Sequence, residues 1–480
     1  MRYLVLFISA LLFQNAFAQT KRYDNWHFGF NAWMSFSTTP VSTFSSSINT
    51  LEGCSSISDT LGQTLFYTDG VTVYDKSGQI MPNGTGLGGN FSSTQSALIV
   101  PIPGKVDKYI IFTTGGYGYS PCECLQYSLV DMSLNGGLGD ITSKNNLLDN
   151  VSTERLAGAL HSDSSSVWVI AHEYTNNHFF SYLVDTAGLH PAPIISSAGI
   201  SNTPPSGVSM APCAEGQMKV SPDGTKIAYC LPSFQLVEIL DFDNTTGLIS
   251  NPITIKHNHI YPYGLEFSPD SKLLYVTNDI SPTYIIQYSL LVQDSIHIAS
   301  SAYQVANSPF LFGQLQLAPD KKIYAALDGN NGALQVIAQP DNAGSACQFI
   351  PQYVVFPGET PWHTGLGSQL GLPNYIAGYF KTAYVPPGPE PEPPKTCEAS
   401  QLQVPNVISP NADGINDEFK VNCEGSRFIP EDLIIYNRWG KVVYDSQKYN
   451  ISFSLLDDGT YFYVFSYKSV TYRGFLTVLH

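Results

Sequence analysis

Four side chains of the types used in acid–base catalysis lie within residues 154–173. They are Glu154, His161, His172 and Glu173. A carboxyl group and an imidazole within hydrogen-bond reach of a substrate can act as general acid and base. Neither a Gly-x-Ser-x-Gly elbow nor a His-Glu-x-x-His motif accompanies them, and His161 lies near a turn signal, where plain exposure also explains it. These residues are weak catalytic candidates, and their value depends on whether the fold brings them together.

The loop that begins at Asn411 is a candidate cation site. Its oxygen-bearing residues stand at positions 1, 3, 6 and 7 of the loop: Asn411, Asp413, Asn416 and Asp417. Calcium takes roughly six to eight oxygen ligands, and a short loop of this kind can supply several of them. An EF-hand also needs a Glu at position 12, where this chain has Asn422. An Asx-turn that only fixes the chain between two strands is the favoured alternative. Calcium is the one cofactor that the sequence suggests.

The cysteines allow disulfide bonds. The chain has 8 Cys, an even number, and an exported protein can keep such bonds oxidised. We predict two local pairs, Cys213 with Cys230 and Cys397 with Cys423, because each pair falls within one structural unit as derived below. The full connectivity is left open, and no Cys/His set has the spacing of a structural zinc site.

The composition favours strands over helices. Charged residues make up 13% of the 480 residues, against roughly a quarter in an average soluble domain. Aromatic residues reach 12%, with 39 Gly and 32 Pro, a mixture that suits pleated surfaces and turns. The net charge of −16 argues against a nucleic-acid partner, because no basic patch is available to neutralise phosphates. We therefore expect an all-β protein.

Residues 1–18 have the organisation of a signal peptide. Arg2 precedes an apolar run that ends at Phe13, and Ala16-Phe17-Ala18 gives the small-x-small pattern of a cleavage site. A membrane anchor is the alternative, but the run is too short to span a bilayer comfortably. We expect cleavage after Ala18 and no transmembrane segment in the mature chain.

A linker divides the rest of the chain. Residues 386–395 are rich in Pro and Glu, and Pro at this density forces an extended path and removes the donors that a sheet needs. The predicted domains are therefore residues 19–385 and 396–480.

The larger domain contains a repeat. Its clearest copies are SPDGTKIAYC at 221–230, SPDSKLLYVT at 268–277 and APDKKIYAAL at 318–327. Each has a Pro-Asp turn followed by an apolar, β-rich run, which predicts a tight hairpin entering a buried strand. Weaker copies turn at Asp59, Lys105 and Asp163, so successive turns are 46 to 60 residues apart. This spacing predicts the four-stranded blades of a β-propeller.

We favour seven blades, with six or eight as alternatives. The visible turns account for six sheets, and the seventh is expected from residues 346–380, closed by an N-terminal strand around 26–36. The turns resemble those of WD-repeat-like, lactonase-like and periplasmic propellers, and segments such as LFYTDGVTVYDKSGQIMPNGTGLGG are similar to exported propeller proteins of Bacteroidota. That resemblance brings no assigned chemistry.

The last 85 residues carry four motifs in a fixed order. They are VPNVISPNADGINDEF at 404–419, LIIYNRWGKVVYDS at 433–446, DDGTYFYVFSYK at 457–468 and YRGFLTVLH at 472–480. Together they resemble the gliding-motility-associated C-terminal domain, the type B sorting domain of the type IX secretion system. Alternating apolar residues and Gly-containing turns predict a small antiparallel β-sandwich.

The resemblance implies a route and a partner. The outer-membrane translocon of the type IX system would read the C-terminal domain after passage through the periplasm, leaving the protein secreted or on the cell surface. The recognition face would draw on the turn Asn437-Arg438-Trp439-Gly440 and on the last strand from Gly474.

The propeller itself has two candidate functions. The first is a binding or adhesion module for an extracellular glycan or protein, because a rigid exported scaffold carries no catalytic motif. The second is a propeller enzyme, a lactonase or a polysaccharide hydrolase or lyase. The side chains at the centre of the propeller distinguish the two, and the sequence alone does not place them.

Overall fold

The computed structural model describes residues 21–116, 123–203, 211–256, 260–328, 332–356, 366–379, 402–410, 419–423, 426–428, 430, 432–445, 456, 458–467 and 470–479. The chain divides into two compact units, Met1–Ala383 and Tyr384–His480. The signal peptide 1–18 and the linker 386–395 lie outside the described residues and stay predictions.

The described part of the first unit forms seven successive sheets, confirming the all-β expectation. Sheet 1 has three strands: β1 Asn25–Phe28, β2 Phe30–Ser35 and β3 Ser42–Asn49. Sheet 2 contains β4 Ser55–Ser58, β5 Thr64–Thr68, β6 Thr72–Asp75 and β7 Ile80–Thr85. Sheet 3 contains β8 Ala97–Pro101, β9 Lys108–Thr114, β10 Leu125–Asp131 and β11 Asp140–Asp149. Sheet 4 contains β12 Ser152–Leu160, β13 Val167–Glu173 and β14 His178–Asp185, with the short strands β15 Gly188–Leu189 and β16 Ile194–Ser197 both paired to β14.

The remaining three sheets repeat the four-stranded pattern. Sheet 5 contains β17 Met218–Val220, β18 Lys226–Leu231, β19 Leu236–Asp243 and β20 Leu248–Lys256. Sheet 6 contains β21 Pro262–Phe267, β22 Leu273–Asn278, β23 Thr283–Ser289 and β24 Tyr303–Ser308. Sheet 7 contains β25 Phe312–Leu317, β26 Ile323–Leu327, β27 Ala333–Ile337 and β28 Phe349–Val355.

Helices are short. They are α1 Ala211–Ala214 and α2 Ser295–Ser300, with 3-10 turns at Lys21–Tyr23, Asn135–Gly137, Pro232–Phe234 and Gly344–Cys347. Among the described residues, no helix has the length and apolar character needed to cross a bilayer.

The repeat turns lie where the sequence predicts them. Each joins the first strand of a sheet to the second, as at Asp223 between β17 and β18. There the Asp223 carboxylate accepts hydrogen bonds from the backbone N–H of Thr225 (3.0 Å) and from the Ser221 hydroxyl (2.5 Å). The strands that follow the three clearest turns, β18, β22 and β26, are buried almost throughout, because neighbouring sheets cover both of their faces.

The sheets form a closed ring. The first strands of sheets 2 to 7 contact one another in chain order, and β1 contacts β4. Sheet 7 meets sheet 1 through aromatic side chains: the rings of Trp26 and Tyr324 are 5.6 Å apart and those of Phe28 and Phe356 are 5.9 Å apart. This arrangement is a β-propeller.

The seventh sheet is built differently from the prediction. Residues 349–355 are the last strand of sheet 7 rather than part of a further sheet, and the N-terminal residues supply three strands of their own. Within the described residues, the predicted pairing of residues 346–380 with the N-terminal strand is limited to one bridge. There Phe30 and Gly367 exchange backbone hydrogen bonds of 2.9 and 3.0 Å. Because sheet 1 departs from the four-stranded pattern, the number of blades stays a prediction.

Residues 366–379 run inside the ring. The Leu370 carbonyl accepts from the backbone N–H of Gln314 on sheet 7, the Asn374 N–H donates to Cys54 beside sheet 2, and β29 (Ile376–Ala377) pairs in parallel with β12 of sheet 4. A segment that touches first strands of three sheets must lie within them. Asn374 is 4% exposed and Ile376 is fully buried, so the described part of the channel is filled by the chain itself.

Three glutamines connect the first strands across this interior. First strands have one edge without a neighbouring strand, so their N–H groups need other acceptors. The Gln95 side-chain oxygen accepts from Leu156 N–H (3.3 Å) and Met218 N–H (2.8 Å) of sheets 4 and 5. The Gln217 oxygen accepts from Leu265 N–H and Leu315 N–H of sheets 6 and 7, both at 3.0 Å. The third, Gln314, accepts from the Leu372 N–H at 2.9 Å.

The second unit is smaller and mostly antiparallel, as predicted, except that β30 pairs with β36 in parallel. One sheet has the order β30-β36-β35-β33-β34, and a separate hairpin joins β31 to β32. The strands are β30 Val407–Ile408, β31 Val421–Cys423, β32 Ser426–Phe428, β33 Ile434–Tyr436, β34 Val442–Asp445, β35 Gly459–Tyr467 and β36 Val470–Val478. Its core includes Ile408, Phe419, Ile435, Phe465 and Leu476.

We predict that Gln217→Leu destabilises the propeller by about 2–6 kcal/mol, because it leaves two buried N–H groups without acceptors at about 1–3 kcal/mol each. Chemical unfolding followed by tryptophan fluorescence measures the loss. The control is Gln304→Leu on β24, an exposed glutamine, which should change stability by less than about 0.5 kcal/mol. Equal stability of the two variants would show that the glutamine bridges are not needed.

Candidate functional site

Acidic side chains gather at the end of the ring where the first strands begin. Second strands run antiparallel to first strands, so residues that follow second strands reach the same end. We call the following residues the acidic mouth: Glu52, Glu154, Glu215, Tyr263 and Asp279. Glu52 precedes β4, Glu154 lies near the start of β12, Glu215 precedes β17, Tyr263 is the second residue of β21, and Asp279 follows β22.

Backbone contacts hold Glu52 at the mouth. Its N–H donates to the Phe91 carbonyl (3.1 Å), and the N–H of Gly53 donates to the Ser93 carbonyl (2.9 Å). Gly371 of the internal segment lies against it so closely that a Cβ there would stand 1.8 Å from the Glu52 carbonyl oxygen. The internal segment therefore supports the mouth from below, and a side chain at 371 would displace Glu52.

Glu154 and Thr94 form a second support. The Thr94 backbone N–H and hydroxyl both donate to the Glu154 Oε2, each at 2.9 Å. The Thr94 hydroxyl oxygen also accepts from the Gly216 N–H at 3.2 Å. These bonds bring the start of β12 next to the residues that precede β8 and β17, and so place Glu154 near Glu215.

Arg155 positions Glu215 from beneath. Its guanidinium is fully buried and donates to the carbonyls of Cys213 (3.1 Å), Cys230 (2.7 Å from Nη2) and Glu215. A buried cation must have its donors satisfied, and here backbone oxygens do this. Arg155 thus fixes the turn that carries Glu215.

Three polar atoms of the mouth lack a hydrogen bond of ordinary length and angle within the described chain, although the Tyr263 hydroxyl lies close enough to the Glu52 carboxyl to affect its pKa. They are Glu52 Oε2, Tyr263 Oη and Asp279 Oδ1. Glu52 is 8% exposed and Tyr263 is 4% exposed, and buried polar groups in native proteins are normally satisfied. Unsatisfied oxygens from three separate chain segments, close enough to affect one another's pKa values, are the arrangement expected where a ligand supplies the missing partner.

Burial and mutual repulsion hold protons at the mouth. Burial raises the pKa of Glu52 well above its ordinary value, the carboxylates of Glu154 and Glu215 raise it further, and the Tyr263 hydroxyl lowers it. Burial, then Glu215 and Asp328, raise the pKa of Asp279 to about 7. The pKa of Glu215 is also raised by burial, against the opposing charge of Arg155. A cation would relieve this repulsion and take the place of the protons.

The four catalytic candidates are not brought together. Only Glu154 belongs to the mouth. His161 directly follows the end of the same strand, seven residues later and about 23 Å away at roughly 3.3 Å per residue. Its Nε2 lies 3.1 Å from the Thr245 carbonyl oxygen.

The other two candidates are held by other partners. His172 is fully buried with its Nδ1 2.7 Å from Asn202, and burial lowers its pKa to about 3, so it is neutral. The Glu173 carboxylate lies 2.9 Å from His178 and 2.7 Å from Asn176. The four side chains do not form one acid–base site.

The predicted pairing of Cys213 with Cys230 is wrong. Both are free thiols in the structure. Cys213 packs in a small cluster with Tyr174 and Phe234, whereas Cys230 faces the core between sheets 5 and 6. The two cysteines share a hydrogen-bond donor, because the backbone carbonyls of both accept from the Arg155 guanidinium. Cys397 and the Cys423 side chain lie outside the described residues, so that pairing stays a prediction.

The predicted calcium loop, Asn411, Asp413, Asn416 and Asp417, also lies outside the described residues. Within the part that the structure describes, no three His, Cys, Asp or Glu side chains are disposed to hold a metal ion.

Two small cavities open at the opposite end of the ring. One of about 20 Å³, room for about one water molecule, adjoins Lys219, Glu266 and Gln316. There Lys219 lies 3.4 Å from the Glu266 carboxylate. The other, about 100 Å³, adjoins His161 and Asp223. Their polar groups are paired within the protein, and both are small for an organic ligand.

The turn Asn437-Arg438-Trp439-Gly440, for which a recognition role is predicted, is largely exposed in the second unit. The Asn437 side-chain oxygen accepts from the N–H groups of Trp439 and Lys441, both at 3.0 Å. Trp439 is 75% exposed, and the Arg438 guanidinium lies 4.2 Å from its ring centroid. Gly440 has a φ of +79°, which favours glycine there.

Gly474 plays a different part. It lies opposite Tyr463, and a Cβ at this position would stand 2.4 Å from the Tyr463 hydroxyl. Gly474 therefore makes room for a buried tyrosine on the core face.

The sequence contained a signal for part of the mouth. In four repeats an acidic residue follows the turn residue by eight to ten positions: Asp69, Glu173, Asp279 and Asp328. Each ends or follows a second strand, so a periodic acid at this place predicts a carboxylate at the end of the ring. Glu52 and Glu215 have no such periodicity, and only the fold brings them to the mouth.

We predict that Asp279→Asn stabilises the protein more at pH 8 than at pH 5, by roughly 2 kcal/mol. A carboxyl whose pKa rises from 3.8 to about 7 on folding binds more protons in the folded state, so stability falls as pH increases through this window. Asparagine at position 279 does not ionise, so the variant avoids the loss of folding stability that ionisation of Asp279 causes at high pH. Thermal unfolding of parent and variant at the two pH values measures the difference. Asp107→Asn, an exposed carboxyl between β8 and β9 at the other end, is the control, and an equal effect of pH on all three proteins would contradict the prediction.

Comparison with solved structures finds distant matches to this chain. The periplasmic gluconolactonase of Pseudomonas aeruginosa is 13% identical, with a TM-score of 0.38 over 58% of this chain and 76% of that one. Hsv2 of Kluyveromyces lactis is 8% identical, with a TM-score of 0.39 over 66% and 90%. At these identities and TM-scores the matches carry no argument about this chain.

The C-terminal residues have a family match. No curated protein matches the chain. Residues 402–478 match the CHU_C Type IX secretion signal domain, as the four C-terminal motifs predict.

Proposed function

We propose that the chain is an exported propeller that binds an extracellular ligand at the acidic mouth, and that the bound part of the ligand carries an ammonium or guanidinium group. Export itself follows from the type IX secretion signal domain, which directs a protein to the cell surface or the medium. The binding role is supported by the three unpartnered oxygens of Glu52, Tyr263 and Asp279.

The chemistry of the mouth favours an organic cation. An ammonium group offers three donors and a guanidinium five, and charge-assisted hydrogen bonds to carboxylates are stronger than neutral ones. Such a group satisfies several oxygens at once and relieves the repulsion that raises the carboxyl pKa values. An amino sugar or a basic side chain of a surface protein carries the required charge.

The filled channel also favours binding at the mouth over passage through the ring. Asn374 donates to the Leu156 carbonyl at 2.7 Å, and Gln95 donates to the Met218 carbonyl at 3.0 Å, so the described channel residues are engaged with one another. A rigid, satisfied interior below an unsatisfied rim suits a preorganised binding site.

A propeller enzyme is the second candidate. One observation favours it: the pKa of Asp279, about 7, suits a general base near neutral pH. Lactones and polysaccharides are the substrates to test. Turnover that is lost in Asp279→Asn would overturn the binding role in favour of catalysis.

We expect the protein to bind chitosan oligomers, which carry ammonium groups, at least tenfold more tightly than the matching N-acetylated oligomers. Lysine-rich and acetyl-lysine peptides form a second matched pair. Glu52→Gln should weaken binding of the charged member at least tenfold at pH 5. Affinity for the lysine-rich peptide, whose ammonium groups stay charged throughout, should rise from pH 5 to pH 8 because binding releases protons from Asp279. Isothermal titration calorimetry measures both effects.

Asp107→Asn is the matched control for this experiment, since it removes the same charge at the far end of the ring. Equal affinity for the charged and neutral oligomers, or for both peptides, would contradict the cationic ligand. Binding that is unchanged in Glu52→Gln would contradict the mouth as its site.

Deletion of residues 396–480 should leave the protein in the periplasm, because the truncated chain lacks the secretion signal domain at 402–478. Cell fractionation and immunoblotting in a bacterium with a type IX system measure the distribution. Deletion of residues 386–395 alone, which keeps the domain, should permit export. Appearance of the truncated chain in the medium at the level of the parent would show that the domain is not required.

A further inference from the structure

One face of the sheet in the second unit carries a row of exposed apolar side chains. The register pairs Phe475 with Phe462, Phe462 with Tyr436, and Tyr436 with Val442, across the strands β36, β35, β33 and β34. Phe475 is 55% exposed, Phe462 48% and Val442 40%. We call Phe475, Phe462, Tyr436 and Val442 the aromatic row.

The row belongs to the face away from the core. Side chains alternate along a strand, and the neighbours Tyr461, Tyr463 and Leu476 are buried in the core of this unit. The sheet is therefore apolar on both faces, although one buried face is enough to hold it together. Contiguous apolar surface that folding does not require marks an interaction site.

Basic residues border the row. Arg438 and Lys441 lie beside Val442, and Arg473 precedes Phe475 by two residues on the same face; all three are exposed. Trp439 extends the apolar surface at the turn, under the Arg438 guanidinium. This positive border stands out in a chain with a net charge of −16.

The family match names one partner for this domain, the type IX secretion machinery. We infer that the aromatic row is the surface through which the domain docks onto that machinery, against an apolar protein surface bordered by carboxylates. This surface adds Phe462, Tyr436 and Val442 to the turn and the last strand that the sequence predicts as the recognition face. Gly474 contributes from the core face instead, by making room for the Tyr463 side chain.

The test replaces the two central rings in the full chain. Phe462→Thr with Phe475→Thr keeps residues that suit strands and removes the apolar surface. Export is measured by fractionation and immunoblotting in a bacterium with a type IX system, and folding by thermal unfolding of the purified chain. We expect at least a tenfold loss from the medium and cell surface, with folded protein accumulating in the periplasm.

The matched control is Val470→Thr, another exposed apolar residue of β36 (45% exposed) that lies outside the row. It should be exported like the parent. Arg473→Glu tests the charge border and should lower export severalfold without touching the core. If the double variant folds poorly, the export level of Arg473→Glu tests the proposed surface in its place.

Three results would overturn the inference. They are normal export of the folded double variant, parent-level export of Arg473→Glu, and an equal loss in Val470→Thr. Row-dependent binding of the purified chain to vesicles of anionic lipid, with export unaffected, would assign the face to a membrane instead.

Discussion

The N–H groups on the inner edges of the first strands are the constraint on which the propeller depends. Sheets arranged in a ring leave one edge of each facing the centre, and within the described residues only β12 has part of that edge paired with a strand, the short β29. Gln95 and Gln217 each accept from the first strands of two other sheets, and Gln314 ties the ring to the internal segment 366–379. These contacts fix the spacing of the sheets, because an amide bridge tolerates little change in distance.

The same interior determines where ligand chemistry can occur. Since the chain fills the described channel, the polar side chains there, such as Gln95 and Asn374, are hydrogen-bonded within the protein. The oxygens of Glu52, Tyr263 and Asp279 that lack such bonds lie at the rim. Gly371, packed on the Glu52 carbonyl, and Arg155, bonded to the carbonyl of Glu215, link this interior to the acidic mouth. The site is thus preorganised by contacts that have no direct part in recognition, and the raised carboxyl pKa values are the electrostatic consequence of holding it together.

Much of the fold was accessible from local patterns. The Pro-Asp turns predicted the first hairpins of the sheets, and these predictions are confirmed because such a turn is determined by four residues and the side chain of one aspartate. The acid at the end of the second strand in four of the repeats, as at Asp279 and Asp328, is visible as a periodicity in the sequence. By contrast, Glu154 and His161 lie close in sequence yet at opposite ends of one strand. A strand rises about 3.3 Å per residue, so seven residues are enough to separate the two side chains. The predicted pairing of Cys213 with Cys230 rests on their lying in one structural unit, but their side chains face different cores.

The sequence by itself determined the all-β class, the repeat and the identity of the C-terminal secretion domain. Each of these depends on residues that are neighbours along the chain or recur at a regular interval, so short-range propensity and periodicity specify them. Only the tertiary structure decided that residues 366–379 fill the ring, that Glu52, Tyr263 and Asp279 face one another, and that Phe462 and Phe475 align outside the core. Those relations join residues tens to hundreds of positions apart, and their geometry is set by ring closure and strand register, which no local pattern encodes.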